Sequence, residues 1–127
     1  MSVLGVGGVF VKSADPEASK VWYRDVLGME LSEYGEFEFR HGEAAARYGD
    51  GARTIFARFK ADTEYFQPSA QPFMINLLVD DLDALLERIK ARGVALIGAP
   101  ESYDYGRFAW IMDPDGVKIE LWESVEL

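Results

Sequence analysis

The 127 residues contain no cysteine and a single histidine. The first absence excludes disulfides, thiolate zinc centres and a cysteine nucleophile. The second excludes, within one subunit, any site built on two imidazoles. Positive charge is scarce as well: 13 Lys and Arg stand against 22 Asp and Glu, for a net charge of −9. A chain this acidic repels phosphate backbones and anionic bilayers. Arg47, Arg53, Arg58 and Lys60 are spread among apolar and acidic residues and form no basic patch. Neither nucleic acid nor a membrane is expected as a partner. No apolar run approaches the ~20 residues of a bilayer span. The start, MSVLGVGGVFVKS, lacks the basic opening and small-residue cleavage pattern of a secretory leader. The cytoplasm is the expected compartment. There is no Walker-type loop, dinucleotide fingerprint or nucleophile elbow. The glycines between Gly5 and Gly8 lie inside a strand-like run, which is the wrong place for a phosphate loop.

What is present reads as one ordinary domain. Hydrophobic residues make up 49% and charged residues 28%, so the chain can build a core without staples. Val3 to Val11 is apolar and β-branched and reads as a strand. Asp15-Pro16-Glu17 then offers a helix cap, a first-turn proline and a favourable charge at the dipole. Ala18, Val21, Trp22 and Val26 recur at helical spacing, and Gly28 suits a left-handed stop. Met29 to Tyr34, Gly35 to Arg40, Ala44 to Tyr48 and Arg53 to Lys60 read as strands, with turns at His41-Gly42 and at Gly49 to Gly51. Residues 61–72 are polar with two prolines and read as a linker.

The second half repeats the first. Phe73 to Val79 is a strand. Asp80-Asp81 caps a helix from Leu82 to Arg92 with Leu82, Leu85, Leu86 and Ile89 on one face, and Gly93 ends it. Val94 to Ile97 is a short strand, Glu101 to Gly106 a Tyr-rich loop, and Phe108 to Met112 and Val117 to Trp122 are strands joined by the turn Asp113-Pro114-Asp115-Gly116. In each half the helix-start Asp precedes the closing Gly by 13 residues (28 − 15 and 93 − 80). A single domain, 1–127, is therefore expected, with a βαβββ module at about 1–60, the linker at about 61–72 and a second βαβββ module at about 73–127. The fold class is α+β: two modules forming a curved mixed sheet with a concave cavity. A ferredoxin-like sandwich is the alternative, disfavoured by the strand-rich tail of each half.

Three stretches carry a family likeness: Asp15 to Met29, Val79 to Asp83, and Trp110 to Glu123 with its Asp-Pro-Asp-Gly turn and Ile119-Glu120. Together they resemble the vicinal oxygen chelate superfamily, which includes glyoxalase I, bleomycin-resistance proteins and extradiol dioxygenases. The resemblance spans nearly the whole chain. It implies His, Glu or Gln ligands on four cavity-facing strands in metal-dependent members. At those places this chain has Gly8 and Met74, no carboxylate or His between Thr54 and Lys60, and Glu120. One carboxylate does not hold a divalent ion tightly. No cofactor is expected, and a divalent metal would find only Glu120 as its family ligand. The single His also counts against the two-His, one-carboxylate iron site of extradiol dioxygenases. Members pair halves within or between chains, which implies a homodimer.

The candidate site follows from strand alternation. Ile119 and Leu121 should face the helices, while Lys118, Glu120 and Trp122 face the cavity. Glu120, partly desolvated there, is the candidate catalytic base or ligand acceptor, against the plain reading of a structural acid. Met74 and Asn76 would line the same face, with Asn76 orienting a ligand through its amide. Tyr103, Tyr105, Arg107 and Trp110 are candidate ligand contacts: the rings for a flat or cationic molecule, Arg107 for a carboxylate or phosphate. Trp122 completes the set. For these residues, core and loop packing is the competing reading.

Besides a divergent member whose cavity is filled and whose role is association, two functions are consistent with these residues. The first is metal-independent binding of a small organic ligand, by analogy with bleomycin-resistance proteins, where the acidic residues would suit a cation. The second is a glyoxalase-like lyase or isomerase with Glu120 as base.

Overall fold

The computed structural model describes residues 1–125; the last two residues of the expected second module lie outside the described residues. Helix α1 is Pro16–Leu27, α2 is His41–Tyr48, followed by a 3₁₀ turn Gly49–Gly51. Strand β1 is Ile75–Val79, helix α3 is Leu82–Ala91, and strands β2, β3 and β4 are Glu101–Tyr103, Gly106–Met112 and Lys118–Ser124. The fold is α+β, with three helices and a mixed four-stranded sheet in the order β1-β4-β3-β2. No described helix is long and apolar enough to cross a membrane.

Local sequence explains both long helices. The Asp15 carboxylate accepts from the Ala18 N–H at 3.1 Å, Pro16 opens α1, and Gly28 closes it at φ 69°. Asp81 accepts from the Ala84 N–H at 3.0 Å at the start of α3, and Gly93 follows that helix at φ 77°. The helices are also clamped to each other. Arg88 of α3 donates to the carbonyls of Asp25 at 3.1 Å and Arg24 at 3.4 Å, satisfying acceptors that the last turn of α1 leaves open.

The core lies between these helices and one face of the sheet. Val26 and Leu27 of α1 and Leu82 and Ile89 of α3 pack with Ala109, Ile111, Ile119 and Leu121. Strand β4 is central, parallel to β1 and antiparallel to β3. Its register sets Asn76 and Trp110 on either side of Glu120. The turn after β3 is held by Asp113, which accepts from the Val117 N–H at 2.8 Å, the Asp115 N–H at 2.9 Å and the Tyr23 hydroxyl of α1 at 2.6 Å.

The second half thus shows the expected β-α-β-β-β order, with two local changes. Val94 to Ile97 is not a strand. Ile97 donates one bond to the Trp110 carbonyl at 2.7 Å, and then Gly98 at φ 74° and Pro100, which has no N–H, interrupt the pairing. The ladder resumes at β2, inside the stretch expected to be a loop, because Glu101 falls opposite Phe108. In the first half, residues 41–48 form a helix where a turn and a strand were expected. Glu43, three alanines and Arg47 are strong helix formers, and this preference wins where no strand partner is at hand. The other strand-like stretches of that half make no ladder among the described residues, except for one bridge, Leu31 to Phe37, around the turn at Ser32 to Gly35. A strand needs a neighbour to satisfy its N–H and C=O groups, and residues 1–12 and 53–60 have none and are exposed.

Two substitutions test this packing. Asp81→Ala should cost about 1 kcal/mol through loss of the cap. Gly106 has φ 140°, and a Cβ there would meet the Trp122 indole and lie 2.6 Å from the Glu123 carbonyl. Gly106→Ala should therefore cost roughly 2 kcal/mol. Urea unfolding of both variants reads the difference, and a Gly106→Ala cost no larger than that of Asp81→Ala would mean that this approach is not tight.

Candidate functional site

The sheet face turned away from the helices carries Phe108, Trp110, Lys118, Glu120 and Trp122, because residues two apart on a strand share a face. This face is not bare. Residues 61–72 cross it as a strap. Ser69 donates through its hydroxyl to the Gly116 carbonyl, and the Gln71 side chain donates to the Asp115 carbonyl at 3.3 Å. Strap and sheet flank an open hollow of about 280 Å³. Phe108, Trp110 and Glu120 form its floor, Glu101, Tyr103 and Tyr105 one wall, and Tyr65 of the strap the other.

The floor is ordered by ring contacts. Phe108 lies nearly parallel to Trp110 (centroids 6.3 Å apart) and to Trp122 (6.1 Å). Tyr103 and Tyr105 stack on each other at 5.3 Å with planes 4° apart, and both meet Phe108 edge-on. The Trp122 indole donates to the Tyr105 carbonyl at 3.2 Å, which holds the turn between β2 and β3 over the floor.

Glu120 is 7% exposed and accepts from three neutral donors. Asn76 donates its amide to Oε1 at 2.7 Å, and Trp110 its indole N–H to Oε2 at 2.8 Å. The Tyr65 hydroxyl also donates to Oε2. A buried carboxylate must find such partners. Burial and the bond to Glu120 both push the Tyr65 phenol well above its ordinary value. Lys118 is buried beside this group. Its ammonium donates to the Tyr65 carbonyl at 2.6 Å and lies 4.9 Å and 5.7 Å from the ring centroids of Tyr65 and Trp110. Desolvation lowers the Lys118 pKa, and the charges of Glu120 and Glu101 oppose that shift.

Of the residues singled out in the sequence, Glu120, Tyr103, Tyr105 and Trp110 line the hollow, Asn76 reaches it through Glu120, and Trp122 backs the Phe108 ring. Arg107 does not join them. It alternates onto the helix side, where it meets Asp83 at 2.7 Å and Glu123 at 3.8 Å. Met74 is half-buried just before β1 and is not among the lining residues. His41, the lone histidine, opens α2 and is exposed. The reading of residues 61–72 as linker missed Tyr65. Its signal is the pair Tyr65-Phe66, two rings in an otherwise polar stretch.

The family model of the Glyoxalase/Bleomycin resistance protein/Dioxygenase superfamily matches residues 6–121. The chain belongs to this superfamily. Among solved structures, TnmS3, an antibiotic binding protein from Streptomyces sp. CB03234, is 27% identical over 98% of this chain and 99% of that chain, with a TM-score of 0.60. A glyoxalase/bleomycin resistance protein from the same organism is 28% identical over 89% and 95%, with a TM-score of 0.52. A glyoxylase/bleomycin resistance protein/dioxygenase domain from Frankia sp. EAN1pec is 16% identical over 98% and 100%, with a TM-score of 0.58, a likeness of fold alone. A comparison with curated proteins finds no match.

As a glyoxalase-superfamily member, the chain invites the question of a divalent metal, and its donor set does not fit one. Both oxygens of Glu120 are occupied by N–H and O–H donors. Gly8 stands in the exposed N-terminal segment beside the Phe10 ring. No three His, Cys, Asp or Glu converge among the described residues.

The shifted phenols set an alkaline limit on stability. Tyrosine in an unfolded chain ionises near pH 10, whereas burial holds both Tyr65 and Tyr23 protonated well above that in the fold. Their contribution is fully present below about pH 10 and is lost as pH rises through the folded values. Lys118 runs the other way, since its buried charge costs less as pH approaches 10.5. The urea midpoint of Tyr65→Phe should therefore fall less steeply than that of the parent between about pH 9 and 11. Parallel curves would show that Tyr65 does not hold Glu120 in solution.

Proposed function

We propose that this glyoxalase-superfamily chain binds a small organic ligand in the hollow above Glu120, without a family-type metal. The observation that carries this reading is the Glu120 network. Its carboxylate is fixed on a floor of aromatic side chains by Asn76 and Trp110, while its third donor, Tyr65, comes from the strap and not from the sheet. A ligand donor can replace Tyr65 without disturbing the sheet. Donors already fill most of the roughly four acceptor sites of the Glu120 carboxylate, which favours binding over proton removal, since a base needs a free lone pair aimed at its substrate. Support comes from TnmS3, an antibiotic binding protein, at 27% identity over nearly the whole of both chains. The cytoplasm remains the proposed compartment.

The proposed protein partner is a second copy of this chain. Val3, Leu4 and Phe10 are 95% exposed or more and Phe56 is 79% exposed, in two stretches of strand-like sequence without strand neighbours. The outer edge of β1 is likewise open. In this reading, a partner copy satisfies these backbones and turns residues 1–60 into the full βαβββ module that the repeat calls for.

Titration with a panel of planar aromatic compounds and antibiotics should quench the fluorescence of Trp110 in at least one case. Trp110→Phe should remove that quenching, and elemental analysis should find no stoichiometric nickel, zinc, manganese or iron. Stoichiometric metal, or a panel that leaves the emission unchanged, would count against the reading. Light scattering should give a mass twice 14.2 kDa. Phe10→Asp together with Phe56→Asp should shift the protein toward a single chain. A parent that is monomeric at all concentrations removes the second copy.

A further inference from the structure

We propose that the ligand is a small organic cation, a protonated or quaternary amine held against the rings of the β2–β3 wall; this rests on the reading of the hollow as a ligand site. Three observations converge on it. The first is charge. Glu101 and Glu120 line the hollow and no cationic residue does. Arg107 is turned to the helix side and paired there. The ammonium of Lys118 stands beside the floor under the strap, where it is already bonded to the Tyr65 carbonyl. Two carboxylates against one ammonium leave an excess of one negative charge, which a monocation neutralises.

The second observation is the rings. Tyr103 and Tyr105 are 48% and 59% exposed, stacked on each other and fixed edge-on against Phe108, so their outer faces stay available. An aromatic face carries negative quadrupole density and attracts a cation within about 6 Å of its centroid. The protein already uses this contact in the same place, since Lys118 sits over Tyr65 and Trp110 within that range. The third observation is the Glu101 side chain. Its Oε2 accepts from the Tyr103 hydroxyl at 2.8 Å, which holds the carboxylate at the hydroxyl edge of the stacked pair. Its Oε1 has no hydrogen bond among the described residues and remains free as a counter-charge. An anionic ligand would meet two carboxylates in the lining of the hollow. A neutral ligand would gain the rings but not the charge.

The test uses three hydroxyethyl compounds of matched shape: choline, the neutral 3,3-dimethylbutan-1-ol, and the anion isethionate. Binding is followed at constant ionic strength through the indole N–H signals in nuclear magnetic resonance spectra. Choline should bind about tenfold more tightly than the neutral alcohol, as expected for a partly desolvated cation–π contact with a counter-ion, and isethionate should not bind. Glu101→Gln and Tyr105→Ala alter exposed side chains, and circular dichroism checks that they fold. Each should cut the preference for choline about threefold or more, while the weak binding of the neutral alcohol stays within twofold in Glu101→Gln. Equal binding of the neutral alcohol, or tighter binding of isethionate, overturns the cationic class. So does the absence of binding by all three. If the planar panel still quenches Trp110 in that case, the ligand site stands and only its charge preference falls; if the panel also fails, both fall together.

Discussion

The structure on the cleft side depends on keeping one carboxylate satisfied out of water. Glu120 sits in the middle of the central strand, and burial without partners would cost it several kcal/mol. Its donors come from three separate stretches of chain: Asn76 from β1, Trp110 from β3 and Tyr65 from the strap. Each donor is in reach only because the strand registers place Asn76 and Trp110 opposite Glu120. A slip of one residue in β4 would swing the carboxylate into the apolar core beneath α1 and α3 and bring Ile119 or Leu121 up in its place. The acid therefore specifies register as well as lining a cavity.

Around it the molecule divides its work by face. The helix side is a dry core in which Ile111, Ile119 and Leu121 are fully buried, and its charged residues are rim pairs such as Arg107 with Asp83. The cleft side has aromatic rings, one ammonium and two carboxylates, arranged so that the ammonium is covered and the rings of β2 and the following turn are not. Rings on a strand ladder are held with little residual freedom, so a ligand that stacks on them encounters a surface already in place.

The sequence was most legible where a local rule and a long-range need agreed. Asp15, Gly28, the pair Asp80-Asp81 and Gly93 mark the helices because caps act within a few residues, although the cap itself is Asp81, one residue beyond the Asp80 used for the spacing. The alternation of Lys118 to Trp122 was readable because β4 is a central strand with two different faces. Legibility failed where the deciding partner is remote. Arg107 stands among Tyr103, Tyr105 and Trp110 in sequence, yet strand parity sends it to Asp83 on the other side. Residues 44–48 alternate weakly enough to pass for a strand, but with no ladder to join, their alanine-rich helix preference decides. Tyr65 lay in a stretch whose polarity and prolines announced a connector, and nothing local reveals that its hydroxyl spans to Glu120.

That hydroxyl has a consequence for how the two halves communicate. Tyr65 belongs to the only stretch of chain that joins them, and the strap is pinned by few bonds: Tyr65 to Glu120, Lys118 to the Tyr65 carbonyl, and Ser69 and Gln71 to the turn after β3. A guest that took the place of the phenol on Glu120 would remove one of the bonds that pin the strap, while α1 stays anchored by Arg88 and by the Tyr23 bond to Asp113. Occupancy of the hollow and the seating of residues 61–72 would then draw on one shared free energy, and by reciprocity whatever fixes the strap would alter the affinity for the guest by the same factor.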